Sequence, residues 1–394
     1  MRLRCLDPKM KFEGKRVLVR IDADVAVSRG SVVEGPSGRL ARAAVGLEWL
    51  RQRGARIVVL AHRGRPEGKR TPSLSLAPCV KRLHQLLGGG VELSREITGS
   101  AVERRVKRLS DGEILVLENV RFLKGETEND KTLAKEWVRL GDLYVNDAFA
   151  SSHRRHTSVS SLARLLPAYA GLSLCHEVEE LSGVLVRPAQ PFVCVLGGAK
   201  IHTKIGTLRA LLRRGADICV GGALAHPFFL AQGFSVGTSR FDPKDVPLAK
   251  SLLKKWHKQI LLPSDVRVVR VIRRKAPVRT VSPKEVGAKD AIVDMGAETL
   301  RRYAAAIASA KTLVWNGPLG VCEIPDFATG TERLAKRMAE KNGRAITIVG
   351  GGDTVPLVDR LELETKFTLV SSGGGAMMSF LAGEKMPGLE YLFV

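Results

Sequence analysis

Short runs of β-branched and aliphatic residues alternate with longer amphipathic stretches along nearly the whole 394-residue chain. The apolar runs fall at 17–21, 57–61, 114–117, 143–145, 192–196, 218–220, 312–315, 346–349 and 367–370. Many are apolar at every position rather than alternating, as in strands of parallel sheets buried on both faces. Between them, helical periodicity predicts helices at 42–52, 76–87, 131–140, 208–213, 300–308 and 333–340. This alternation predicts an α/β protein. A chain of 394 residues also exceeds what one core usually serves, so two domains are expected.

The strand exits divide the chain into unlike halves. In the first half they carry Arg, His and Asp; in the second they carry glycine pairs and triplets. A polar helical stretch at 175–186, closed by Arg187-Pro188-Ala189-Gln190-Pro191, separates the two. No segment reaches the roughly 18 apolar residues of a membrane span, so no membrane partner is expected. The basic N-terminus lacks the apolar core and cleavage site of a secretory signal. The six cysteines are scattered without a Cys-x-x-Cys pair. Several lie within apolar runs, so buried free thiols are expected rather than disulfides or metal ligands, in a reducing cytoplasm.

Charge changes the picture only partly. The net charge of +23 favours anionic partners: nucleic acid, acidic membranes or phosphorylated metabolites. The 63 Lys and Arg are spread without a block of five, and four Trp and four Tyr offer few stacking platforms. Charge alone does not choose among these partners.

The candidate chemistry lies at the strand exits. Five glycine-rich exits follow apolar runs: Leu196-Gly197-Gly198-Ala199-Lys200, Val220-Gly221-Gly222-Ala223, Trp315-Asn316-Gly317-Pro318, Val349-Gly350-Gly351-Gly352-Asp353-Thr354 and Ser372-Gly373-Gly374-Gly375-Ala376. Glycine there permits positive φ and close approach of backbone N–H groups to phosphate, and a following helix adds its positive end. One such turn is more often packing punctuation. Five at the carboxyl edge of one sheet favour a nucleotide site, although neither a P-loop nor a Rossmann fingerprint occurs. Lys200 and Lys204, four apart, suit a clamp on transferring phosphate oxygens. Asp353 suits a Mg²⁺ ligand or a helix cap, Thr354 a phosphate donor or cap, and Glu323 a ribose acceptor or a solvated carboxylate. The first half supplies Asp22, Asp24, Arg39, His62, Arg65, Arg121 and Arg154, whose arginines, at strand ends in a loop-rich edge, suit bidentate binding of phosphate or carboxylate. His153 and His156 are spaced like a metal pair but lack an evident third ligand.

Together these motifs resemble the phosphoglycerate kinase family over essentially the whole chain. The resemblance rests on Lys15–Asp22, on His62-Arg63-Gly64-Arg65-Pro66, on Leu117–Phe122 and on Val145–Phe149 with His153-Arg154. In the second half it rests on Leu196–Lys200, Val314–Pro318, Gly350–Thr354 and Ser372–Ala376. It implies two Rossmann-like lobes facing across a cleft. These are a phosphoglycerate-binding domain at 1–174, a hinge at 175–187 and a nucleotide-binding domain at 188–377, with a tail at 378–394 returning to the first lobe. It implies that Asp22, Asp24, Arg39, His62, Arg65, Arg121 and Arg154 bind the phosphorylated acid. Gly222, Gly296, Asn316, Pro318, Glu323, Gly351, Gly352, Asp353 and Thr354 would bind the nucleotide with Lys200 and Lys204. Arg39, Lys200, Lys204, Gly352 and Gly375 would act on the transferring group, and Asp353 would hold Mg²⁺.

The implied activity is that of a phosphotransferase with a carboxyl acceptor, moving phosphate reversibly between 1,3-bisphosphoglycerate and ADP to give 3-phosphoglycerate and ATP. A cytoplasmic monomer without specific nucleic-acid binding is expected. The chemistry agrees: the nucleophile is a carboxylate, ionised at neutral pH, so alignment and charge neutralisation suffice without a general base. Closure about the hinge is expected to bring the ligands in line. The competing readings are another nucleotide-dependent α/β enzyme, or a weakened homologue that binds nucleic acid or other anions. Four positions depart from the family: Asp24 for Asn, Thr203 where many members carry Asp, Ala223 for Gly and Ala297 for Pro. The first places an extra carboxylate beside a triply charged acid, costing roughly 1 kcal/mol per unit pair at 4 Å in water.

Overall fold

The structure is a computed structural model describing residues 2–198 and 200–394. The chain forms two compact units, Met1–Ser182 with Lys385–Val394, and Gly183–Glu384.

The first unit is built on β1 (Arg16–Ile21), a hairpin of β2 (Ala26–Ser28) and β3 (Ser31–Val33), β4 (Arg56–Leu60), β5 (Val91–Ser94), β6 (Ile114–Leu117), β7 (Leu143–Asp147) and β8 (Ala168–Ala170). Six of these form a wholly parallel sheet in the order β5-β6-β4-β1-β7-β8. Both faces are covered, which is why these strands read as continuous apolar runs. Val17, Val19, Ile57, Val59, Ile114 and Val116 share one core with helices Arg39–Arg51 and Ala77–Leu86. Leu18, Val58 and Leu115, at alternate positions, are buried outside that core. Full burial of each such side chain contributes roughly 1.5–3 kcal/mol.

The chain termini complete this unit. Leu3 bridges Phe393, and the Asn146 amide donates to the Gly388 carbonyl at 2.9 Å. The helix Leu172–Val186 begins against Asp147, whose Oδ1 accepts the Leu174 N–H at 2.9 Å. Burial pushes the Asp147 carboxyl up to about 7, with the Asp22 and Glu177 charges adding to the effect and the Leu174 N–H opposing it.

One sequence expectation is overturned here. Cys5 and Cys175 form a disulfide, while Cys79, Cys194, Cys219 and Cys322 are free. Arg4 and Leu6 exchange backbone hydrogen bonds with Ala170, which lays the N-terminal segment beside the start of the Leu172–Val186 helix. The two Cα atoms come within 6.1 Å. A pairing across 170 residues leaves no local trace in the sequence.

The second unit is built on β9 (Phe192–Leu196), β10 (Ala216–Val220), β11 (Ile260–Leu261), β12 (Val266–Val269), β13 (Arg279–Val281), β14 (Ala291–Met295), β15 (Thr312–Asn316), β16 (Ile346–Gly350) and β17 (Leu369–Ser371). Its main sheet is parallel in the order β11-β10-β9-β15-β16-β17. A small antiparallel sheet, β13-β12-β14, has its own core around Val269, Val293 and Phe327. Among the described residues no helix is long and apolar enough to cross a membrane.

Candidate functional site

In the first unit the carboxyl ends of β1, β4, β6 and β7 bring the sequence-predicted cations together. At the centre is His62, 3% exposed. Desolvation pushes its pKa well below the ordinary value, and the charges of Arg20, Arg121, Arg154 and Arg39 push the same way. Arg121 is itself lowered to about 10 by burial and by Arg154 and Arg20. Arg154 is lowered by burial and by Arg65, against the pull of Asp24 and Asp22. These guanidiniums therefore raise one another's free energy, and a multivalent anion among them would relieve that repulsion.

Loops fix the ring of charges. The Gly64 N–H donates to Asp24 Oδ1 at 2.8 Å, and the Gly64 carbonyl accepts from Arg121 Nη1 at 2.7 Å. Gly64 has φ +66°, a conformation that favours glycine. Arg39 opens its helix and donates to the Asp24 carbonyl at 2.5 Å. Arg65 is exposed. Asp22 is buried, with its carboxylate accepting from the Ala150 N–H at 2.9 Å and the Ser151 hydroxyl at 3.0 Å. In this structure, then, Asp22 ties β1 to the segment carrying Arg154.

Arg20 is the residue the sequence reading passed over. It is fully buried on β1 and its Nη2 donates to His62 Nδ1 at 2.7 Å. A guanidinium cannot accept, so Nδ1 must be the bare nitrogen and His62 the neutral tautomer with its proton on Nε2. Arg20 Nε donates to Ser158 Oγ at 2.9 Å, and the Ser158 hydroxyl and N–H both donate to buried Glu126, at 2.7 and 2.8 Å. The signal in the sequence was a single arginine inside the otherwise apolar run Val17–Ile21.

In the second unit the glycine exits occupy five adjacent strands, β10-β9-β15-β16-β17. Gly317 has φ +94°, and a Cβ there would lie 2.6 Å from the Gly197 carbonyl carbon, so neighbouring turns pack backbone on backbone. At Gly352 and Gly375 a Cβ would meet no protein atom within 4 Å, so glycine there keeps the space in front of the backbone open. Asn316 links the row: its amide donates to the Gly350 carbonyl at 2.8 Å, and its Oδ1 accepts from Lys204 Nζ at 2.8 Å. Lys204 Nζ also donates to the Gly197 carbonyl at 2.8 Å. Burial lowers the Lys204 pKa to about 8, against the opposing pull of Asp353.

A cavity of 490 Å³ opens beside this row, lined in part by Gly222, Ala223, Pro318, Glu323 and Asp353. A smaller one of 250 Å³ shares Pro318, Glu323 and Asp353 and adds Gly352. Lys200 is exposed nearby in sequence, and Ala199 lies outside the described residues. Two predicted residues sit differently. Thr354 is fully buried, its hydroxyl oxygen accepting from the Gly317 N–H at 2.9 Å rather than capping its own helix. Gly296 precedes the helix Ala297–Ser309, where its N–H donates to the Asp265 carbonyl at 3.0 Å and a Cβ would collide with Asp265 Oδ2.

Comparison with known proteins accounts for nearly the whole chain. The family model described as phosphoglycerate kinase matches residues 8–384. The phosphoglycerate kinase of Roseiflexus sp. (strain RS-1) is 41% identical over 386 residues, covering 97% of both chains. That of Borreliella burgdorferi is 38% identical over 384 residues, again 97% of each. Among solved structures, the enzyme of Coxiella burnetii matches with a TM-score of 0.83 and 36% identity over 98% of this chain and 97% of the other. The enzyme of Pyrococcus horikoshii OT3 gives 0.85 and 30% over 97% of each. The fold, the paired motif sets and these likenesses agree: the chain belongs to the phosphoglycerate kinase family.

Proposed function

We propose that the arginine ring of the first unit binds the phosphorylated acid and that the glycine row of the second binds the nucleotide. The reaction they serve is reversible phosphoryl transfer between 1,3-bisphosphoglycerate and ADP. One observation carries the assignment: a histidine held neutral while four guanidiniums bear on it, two of them, Arg121 and Arg154, themselves lowered by burial and by neighbouring guanidiniums. Such an arrangement favours a compact, multiply charged anion over a neutral ligand.

In this reading Arg121 and Arg154 take phosphate or carboxylate oxygens bidentately, and Arg65 adds charge at the rim. His62 contributes a hydrogen bond from Nε2–H without adding a cation. Arg39, at its helix start, neutralises charge on the transferring group. On the nucleotide side, Lys204 and Lys200 offset the developing charge of the phosphoryl oxygens, and the backbone at Gly352 and Gly375 approaches them closely because no Cβ intervenes. The attacking carboxylate needs no base. Glu323 accepts from the ribose.

Asp353 is the residue for Mg²⁺. It is exposed beside the open space at Gly352 and borders both cavities, and a single carboxylate suits Mg²⁺ on a nucleotide. Bound with the nucleotide, that ion would neutralise phosphate charge. A cytoplasmic location is part of the same proposal.

The test is steady-state transfer from MgATP to 3-phosphoglycerate, with calorimetric titration of 3-phosphoglycerate alone. Arg154→Ala should weaken that binding by at least about tenfold, the loss of one hydrogen-bonded charge pair. Undiminished binding would remove the assignment of the acid to this ring.

A further inference from the structure

The turn at 200–204 carries both lysines assigned above to phosphate, and a carboxylate from a distant segment fastens it. Asp245, the first residue of the helix Asp245–Trp256, is fully buried. Its Oδ2 accepts the Ile201 N–H at 2.7 Å; its Oδ1 accepts the His202 N–H at 2.8 Å and lies 2.8 Å from His202 Nδ1. A second carboxylate, Asp242, is 3.8 Å from the same imidazole nitrogen. Within the turn, the Lys204 N–H donates to the Ile201 carbonyl at 2.8 Å and the Thr203 hydroxyl to the Lys200 carbonyl at 3.0 Å. The Ile201 side chain is fully buried.

We propose that Asp245 is a positioning residue: a latch that sets the turn so that Lys200 and Lys204 present their ammoniums to the nucleotide phosphates in fixed register. Two features argue for it. The Ile201 and His202 N–H groups are occupied by Asp245, so the turn serves phosphate through lysine charge and not through those amides. The turn also concentrates two lysines within five residues, and a carboxylate gripping its middle offsets their repulsion. Without the latch the internal hydrogen bonds keep the turn's shape but not its place, so Lys200 loses its register and Lys204 is left with only its bonds to Gly197 and Asn316. Displacing a charge-stabilising group by about 1 Å is enough to lower rates a hundredfold. The inference rests on the two lysines acting on phosphate.

Asp245→Asn preserves the size of the side chain but sets an NH₂ group against N–H donors. Its KM for MgATP should rise about tenfold, the loss of one hydrogen bond to a charged group, with a fall in kcat. Its KM for 3-phosphoglycerate should stay within twofold. His202→Ala removes only the imidazole contact and should raise the MgATP KM by about threefold. Both variants within twofold of the parent in every constant would overturn the proposal. So would an equal rise in both KM values, which marks general loosening.

Hydrogen exchange of peptides spanning 200–208 reads the latch without activity. Faster exchange in His202→Ala together with its raised KM supports the latch even if Asp245→Asn does not fold; unchanged exchange overturns it. A parent protein that binds MgATP equally well after Lys200→Ala and Lys204→Ala would sink the lysine assignment instead, leaving the exchange result to stand alone.

Discussion

Asp24→Asn should make the enzyme bind its acid substrate more tightly. The Asp24 side chain is 44% exposed; one oxygen holds the Gly64 N–H at 2.8 Å and the other lies 3.8 Å from His62 Nε2. Asparagine keeps the acceptor for Gly64, so the loop geometry survives and the change is electrostatic. 3-Phosphoglycerate brings up to three negative charges. At a separation of about 6 Å in water-like dielectric, one carboxylate repels them by about 2 kcal/mol, which a Debye length of about 8 Å roughly halves. The carboxylate also supports the charged forms of Arg121 and Arg154, but a guanidinium does not lose its proton in a protein near neutral pH, so both remain charged without it. The net expectation is a KM for 3-phosphoglycerate reduced about fivefold, kcat within about twofold, and a difference that shrinks with salt. Kinetics at saturating MgATP and two ionic strengths measure this. An unchanged or raised KM, or a gain indifferent to salt, would refute the electrostatic account.

Lys204→Ala should lower kcat about 10²- to 10³-fold while the melting profile holds, the scale for removing one donor that stabilises developing charge. Because burial lowers the Lys204 pKa to about 8, kcat/KM for MgATP should fall as pH rises through that value, and Lys204→Arg should move this limb upward. The Asp147 carboxyl is raised from 3.8 to about 7 in the folded chain, so its contribution to stability is full below pH 4 and lost as pH climbs to 7. Relative to Asp147→Asn, denaturant unfolding of the parent should therefore weaken between about pH 4 and 7, and a pH-independent difference would contradict it. Unfolded without reductant, the oxidised protein should titrate four thiols rather than six. Reduction should lower unfolding stability by about 2–4 kcal/mol, the usual scale for a disulfide closing a long loop.

What the sequence disclosed, and what it hid, follows from how local each feature is. Doubly buried strands such as Phe192–Leu196 are apolar at every position, so they announced themselves with correct bounds. Val91–Ser94 and Val266–Val269 carry Glu92 and Arg267 at exposed or half-exposed positions, and β8 has three residues; all three were passed over. The site was legible where chemistry sits at strand exits, because Arg, His, Asp and glycine clusters are out of place after an apolar run. Its supports were not. Arg20 lies inside a strand, and its meaning depends on Ser158 and Glu126, more than 100 residues away. Asp245 sits at a helix start, where a carboxylate is commonplace. Cys5 and Cys175 are joined only by the way the N-terminal segment packs beside β8.

These supports also bear on the net charge of +23. Among the described residues, eight of the 40 acidic side chains are buried, against three of the 63 basic ones. The buried carboxylates are mostly held by backbone N–H groups: Glu118 by Leu76 and Asn119, Asp147 by Leu174, Asp245 by Ile201 and His202, Asp294 by Met295 and Gly330. Each fixes a loop that a basic residue could not, since only an acceptor satisfies an N–H. The interior therefore consumes acid, and the surface is left more cationic than the whole chain. Every substrate of the reaction is an anion, so such a surface should raise encounter rates with all of them. Capture by that field decays with salt; binding at the arginine ring, where Arg20 and Arg121 are buried and Arg39 and Arg154 half-buried, should decay less. Rapid-mixing association rates for MgATP falling with ionic strength faster than its dissociation rates change would bear this out. Association indifferent to salt would mean that the surface charge serves something other than substrate capture.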